Sequence, residues 1–136
     1  MGNMKEFFTM LENLISFFDD LIELQNKKLD IIVANDVDEL DRCINQEQAY
    51  AMQLKGYDRK REKMQEELGF AQVPLREIVE KCEGEERKGL DQLYQVLHLK
   101  TQELRAANDC VNKFIEMRIE VLDGLIEEQN QIKNNQ

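Results

Sequence analysis

From Met4 to Val33 the apolar residues come in pairs: Phe7-Phe8, Met10-Leu11, Leu14-Ile15, Phe17-Phe18, Leu21-Ile22, then Leu24, Leu29 and Ile31-Ile32. Glu12-Asn13, Asp19-Asp20, Glu23 and Asn26-Lys27 fall between them. At about 100° per residue this is a helical period, and its apolar positions cover nearly half of the circumference. A seam with one neighbour needs only a narrow stripe. So wide a face predicts a first helix, over 4–34, that packs against two neighbours or against one neighbour and a second subunit.

The stretch Ala34-Asn35-Asp36-Val37-Asp38-Glu39-Leu40 interrupts the pattern. Asn35 tolerates the left-handed conformation in which a helix stops. Asp36 can cap the next helix, with Glu39 three residues on to answer it, a close variant of the capping box. Asp36, Asp38 and Glu39 also place negative charge where the new helix dipole is positive. So short a link makes the two helices antiparallel.

A second helix is expected over 36–68, with a thinner stripe of Val37, Leu40, Ile44, Ala51, Leu54, Met64 and Leu68. Tyr50 and Tyr57 stand near its edge, and Gly69 supplies the stop. Pro74 suits the first turn of a short connector over 74–83, whose apolar side is Leu75, Ile78 and Val79 and which Gly84 ends. Glu85-Glu86 open the last and longest helix, over 85–131, with a seam of Leu90, Leu93, Leu97, Leu104, Val111, Ile115, Leu122 and Leu125. No segment alternates like a strand. The expectation is an all-α protein: an antiparallel helical bundle or coiled coil of three long helices and one short connector, in a single domain over 1–136.

At about 1.5 Å per residue the last helix outreaches the other two by some 20 Å. Its surplus end is unusually apolar. Cys110, Val111, Phe114, Ile115, Met117, Ile119, Val121, Leu122, Leu125 and Ile126 span roughly 200° of a helical wheel, more than one seam can bury. Such an overhang marks a docking surface, or else it pairs with itself in a dimer or folds back. Phe114, Met117, Val121 and Leu125 are the candidate anchors, with Ile115, Ile119, Leu122 and Ile126 as core or anchor. Glu116, Glu120 and Asp123 would form an acidic rim that tunes association rate more than affinity. The cap at Asp36 and this overhang are expected to be separate features.

Composition narrows the function. The 136 residues are 42% hydrophobic and 34% charged, which suits one globular domain and neither a disordered chain nor a membrane protein. The net charge of -10 disfavours nucleic acid and anionic membrane surfaces. No apolar run reaches the roughly 20 residues of a membrane span, so no membrane insertion is expected. The start Met1-Gly2-Asn3-Met4-Lys5-Glu6 has Glu6 where an acylation site wants Ser or Thr, and no signal peptide is evident; a cytoplasmic protein is expected. Three widely spaced cysteines (Cys43, Cys82, Cys110) read as reduced, semi-buried, small apolar residues.

Recognisable site chemistry is missing. His98 is the only histidine, and the residue three before it is Gln95, so neither the paired Glu-x-x-His of a di-iron bundle nor a zinc site can be assembled. No phosphate loop follows a strand. The residues point away from an enzyme, from any metal and from any cofactor. Asn108 and Asn112 are either buried register-setting polar residues or plain surface.

In order and spacing the chain resembles the FlgN-type flagellar export chaperones over nearly its whole length. The likeness rests on the wide-faced first helix and on Asn35-Asp36-Val37-Asp38-Glu39-Leu40 at the family's helix break. The charged second helix with Glu67-Leu68-Gly69, the Leu-Arg-Glu-Ile connector at Leu75 to Ile78, and Leu104 to Asn112 with its two asparagines continue it. The resemblance implies a cytosolic chaperone of type III secretion without ATPase activity. It would bind the C-terminal helical segments of hook-associated (hook–filament junction) proteins through its own C-terminal helix and keep them unassembled for the export apparatus. A structural coiled coil whose apolar stripe closes a homo-oligomer, or a chaperone for another secreted substrate, are the alternative readings.

Overall fold

The computed structural model describes residues 3–135, leaving the beginning of the stretch compared with an acylation site, Met1-Gly2, outside the described residues. It holds α1 (Met4–Val33), α2 (Val37–Glu67), α3 (Leu75–Lys81) and α4 (Gly84–Asn134), and no strand among the described residues. Asn3 opens α1, its Oδ1 accepting from the Glu6 N–H at 2.8 Å. At the first reversal Asn35 has φ 58°, left-handed backbone that asparagine tolerates better than most residues. Asp36 caps α2 by accepting from the Glu39 N–H at 3.1 Å. The box is only half made. The Glu39 carboxylate pairs with Arg42, while the Asp36 N–H donates to the Ile31 carbonyl at 3.2 Å.

α1 lies between α2 and α4. Phe17 meets Tyr50 edge-on and Tyr57 at a tilt, and Glu47 receives Lys28 Nζ at 2.8 Å and Gln25 Nε2 at 3.1 Å, so α2 runs antiparallel to α1. Phe8 lies against Gly89 and Asp19 takes Lys100 Nζ at 2.8 Å, so α4 runs parallel to α1. No Cα of α2 comes within 8 Å of one in α4. The wide apolar face of α1 thus serves two neighbours. At Gly89 a Cβ would stand 2.9 Å from the Phe8 ring, so a bare backbone is what lets that ring approach α4 so closely.

Residues seven apart lie on one line along a supercoiled helix. On α1 four adjacent lines are buried or half-buried, those of Phe7, Met10, Leu11 and Phe8. On α2 only two are, the Leu40 line through Glu47, Leu54 and Arg61 and the Cys43 line through Tyr50, Tyr57 and Met64. On α4, as far as Arg118, three are: the lines of Leu90, Leu93 and Tyr94, the last broken only by exposed Asn108. Buried width follows the number of long neighbours. The expected α2 stripe is corrected by this frame. Val37, Ile44 and Ala51 share a line that faces solvent, Val37 being 69% exposed, while Tyr50 and Tyr57 move from its edge into the seam. α2 is polar enough that hydrophobicity alone misplaces its face; the contacts of the two tyrosine rings with Phe17 decide it.

The end that carries α3 holds the densest packing, with Phe7, Met10, Leu11, Ile78, Val79, Cys82 and Leu90 in one cluster. Gly69 (φ 83°) stops α2, and the chain crosses to α3 on a loop organised by Gln65. That side chain is 1% exposed. Its Nε2 donates to the carbonyls of Phe70 (3.2 Å) and Val73 (2.9 Å), and its Oε1 accepts from Arg61 at 2.7 Å. Pro74 sits one position before α3 as its N-cap rather than inside the first turn. Gly84 does not end the connector, which stops at Lys81 with Cys82 as its cap. It opens α4 with φ 63°, a conformation that costs glycine little.

Candidate docking surface

The α1–α2 reversal marks where α4 loses its neighbour. Arg118 reaches across from α4, one guanidinium nitrogen donating to Asn35 Oδ1 and the other to the Val33 carbonyl at 3.3 Å. Its Cζ stands 5.3 Å from the centre of the Phe114 ring, within cation–π range. α1 has no basic residue in its last turn, so Arg118 supplies from another helix the positive charge that a helix C-terminus favours. Beyond it, residues 119–135 are all exposed. The unaccompanied helix, 119–134, is about 24 Å long at 1.5 Å per residue.

The candidate anchors divide at this point. Phe114 and Ile115 are half-buried against the end of the bundle. Met117, Ile119, Val121, Leu122, Leu125 and Ile126 are between 51% and 64% exposed, and Ile132 beyond them is 58% exposed. Asn35, Phe114, Met117, Arg118, Val121 and Leu122 line one shallow groove of about 470 Å³ at the step where α1 stops. Leu125 continues the seam line of Val111 and Arg118 past that groove, while Ile119 and Ile126 form a line to one side, beyond that of Leu122. Val111 is buried in the seam and does not belong to the surplus end. Asn35 of the helix reversal lines this groove and holds Arg118, because α4 runs parallel to α1 and passes its C-terminus, while the neighbouring cap Asp36 is not among the groove residues.

Arg118 escaped the sequence reading because a lone arginine in an apolar run looks like a surface charge. Its position on the seven-residue line of Leu90, Leu97, Leu104 and Val111, opposite a helix end without basic residues, is the signal that could have found it. Asn108 and Asn112 are plain surface. Cys43 and Cys82 are buried, and burial pushes both thiols above their ordinary pKa; nearby Glu47 and Glu86 push the same way. Cys110 is exposed rather than semi-buried. Among the described residues no helix is long and apolar enough to cross a membrane.

These features define an all-helical bundle protein whose longest helix carries an uncovered apolar end. The chain belongs to the FlgN family, whose model, described as FlgN protein, matches residues 1–136. The family is one of flagellar export chaperones and not of enzymes. No curated protein and no solved structure matches the chain.

Proposed function

We propose that this protein is a cytoplasmic chaperone that holds the C-terminal helical segments of hook-associated proteins on the overhang of α4 and so prevents their premature assembly before export. One observation carries the reading: the apolar residues from Phe114 to Ile126 lie at the end of α4, and those past Arg118 are exposed, with nothing among the described residues covering them. A client's amphipathic helix laid on this stripe would remove it from water, the helix-in-groove mode of recognition. Client ends that assemble through helices are blocked once such a face is occupied. Phe114, Met117, Val121 and Leu125 are the proposed anchors, Ile115, Ile119, Leu122 and Ile126 their flanks, and Glu116, Glu120 and Asp123 the acidic rim.

Deleting the residues after Arg118 tests it. A cut at Asn112 would also remove Phe114, Ile115 and the Arg118 bridge to α1, and would confuse folding with binding. With residues 119–136 removed, the thermal midpoint should stay within a few degrees of the full chain and client binding should be lost. The pair Phe114→Ala with Met117→Ala should weaken binding more gently, by on the order of 2 kcal/mol for a well-buried anchor. If the deletion instead dissociates an oligomer or unfolds the protein while client binding persists, the stripe closes a homo-oligomer and the chaperone reading of this end is wrong.

A further inference from the structure

We infer that the overhang of α4 receives two helices side by side from one partner protein, each carrying lysine or arginine along its outer edge. The inference rests on the docking role proposed above and specifies what docks. The chain itself calibrates width against neighbours. α2, with one long neighbour, buries two of its seven lines, and α1, with two, buries four. Between Met117 and Ile126 apolar side chains stand on five adjacent lines, one or two to a line, running from Met117, at the step beside Arg118, through Val121, Leu125 and Leu122 to Ile119 and Ile126. One docked helix covers two or three such lines and would leave one edge of the stripe in water.

The two remaining lines decide the partner's charge. Glu116 and Asp123 border the Ile126 edge, and Glu120 and Glu127 border the Met117 edge. Arg118 does not offset them, because its guanidinium is held by Asn35 and the Val33 carbonyl. Each docked helix therefore meets a row of carboxylates at its outer side, where basic residues are complementary and shorten the search for register. A second copy of this chain fits poorly. It would bring the same acidic rows against these, and in a dimer it would offer only one helix.

The test uses the full chain and the C-terminal segment of a hook-associated protein from the same organism as probe. The exposed edge variants Met117→Ser and Ile126→Ser leave the bundle intact. Each should weaken binding about five-fold or more, and together they should weaken it roughly multiplicatively. Cysteines placed at the two edges, Met117→Cys and Ile126→Cys, should both lose their reactivity toward a thiol reagent in the complex. Affinity should fall steadily with added salt, and Glu120→Lys with Glu127→Lys should weaken it further. If the probe binds but only one edge matters or is protected, a single helix docks and the inference fails while the docking role stands. Affinity that ignores both salt and charge reversal would overturn the basic edges. A probe that does not bind overturns the docking role as well, as does sedimentation showing that self-association already protects both edges.

Discussion

Replacing Gln65 should reveal how much of this protein's stability depends on one buried amide. Gln65 is 1% exposed, and its side chain makes three hydrogen bonds: two donated to the Phe70 and Val73 carbonyls and one accepted from Arg61. Gln65→Ala deletes all three and leaves the Val73 carbonyl without its donor, while the Phe70 carbonyl keeps the Val73 N–H at 3.1 Å. At about 1 kcal/mol per bond, with an added cost where water cannot reach the orphaned groups, the loss is about 2–4 kcal/mol. For a helical domain whose whole stability is of order 5–15 kcal/mol, that is a large fraction. Guanidinium unfolding followed by circular dichroism reads it directly, with a midpoint near 10 °C lower in a thermal scan as the companion value. Gln65→Glu sharpens the reasoning, because it keeps the shape but turns the donor into an acceptor. At neutral pH its carboxylate would face two carbonyl oxygens, so it should destabilise at least as much as alanine. A loss below about 0.5 kcal/mol for Gln65→Ala, or a Glu variant as stable as the native protein at neutral pH, would refute the role assigned to this amide; the threshold is that of an ordinary surface substitution.

Other changes probe separate parts of the same account. Asp36→Ala should cost about 1 kcal/mol through the lost cap, measured by urea unfolding, and leave client affinity nearly unchanged. Asn35→Ala should lower both stability and affinity, since it removes the Arg118 partner and strains a positive φ; calorimetric titration alongside the melt separates the two. Thiol titration of the native protein should find one fast cysteine, Cys110, with Cys43 and Cys82 reacting only on unfolding, because burial both hides them and disfavours their thiolates. Gly124 has nothing within 4 Å of where a Cβ would stand, so Gly124→Ala should stabilise the unaccompanied helix by up to about 1 kcal/mol. Slower amide exchange over 119–134 and tighter client binding are the expected readouts, since less ordering would remain to be done on binding.

The sequence by itself determined what depends on neighbours along the chain. Paired apolar residues at helical spacing place α1, Asn35 and Asp36 place its reversal, and Gly69 places the end of α2, because caps and left-handed stops are local chemistry. The excess of apolar residues after Cys110 was equally legible, since it needs only counting around a wheel. Tertiary structure decided which lines of those helices meet. On α2 the seam runs through Cys43, Tyr50, Glu47 and Arg61 and not through Val37, Ile44 and Ala51. Polar side chains can enter a seam when Lys28 or Gln25 waits opposite, as for Glu47, or when Gln65 stands one turn on, as for Arg61, and no hydrophobic pattern records that pairing. The same holds at the end of the bundle. Arg118 and Asn35 lie 83 positions apart in sequence, and only the parallel run of α4 beside α1 brings them together. Where the packed seam stops and the bare stripe begins is therefore a property of helix lengths and register, fixed when α1 turns back and α4 continues alone.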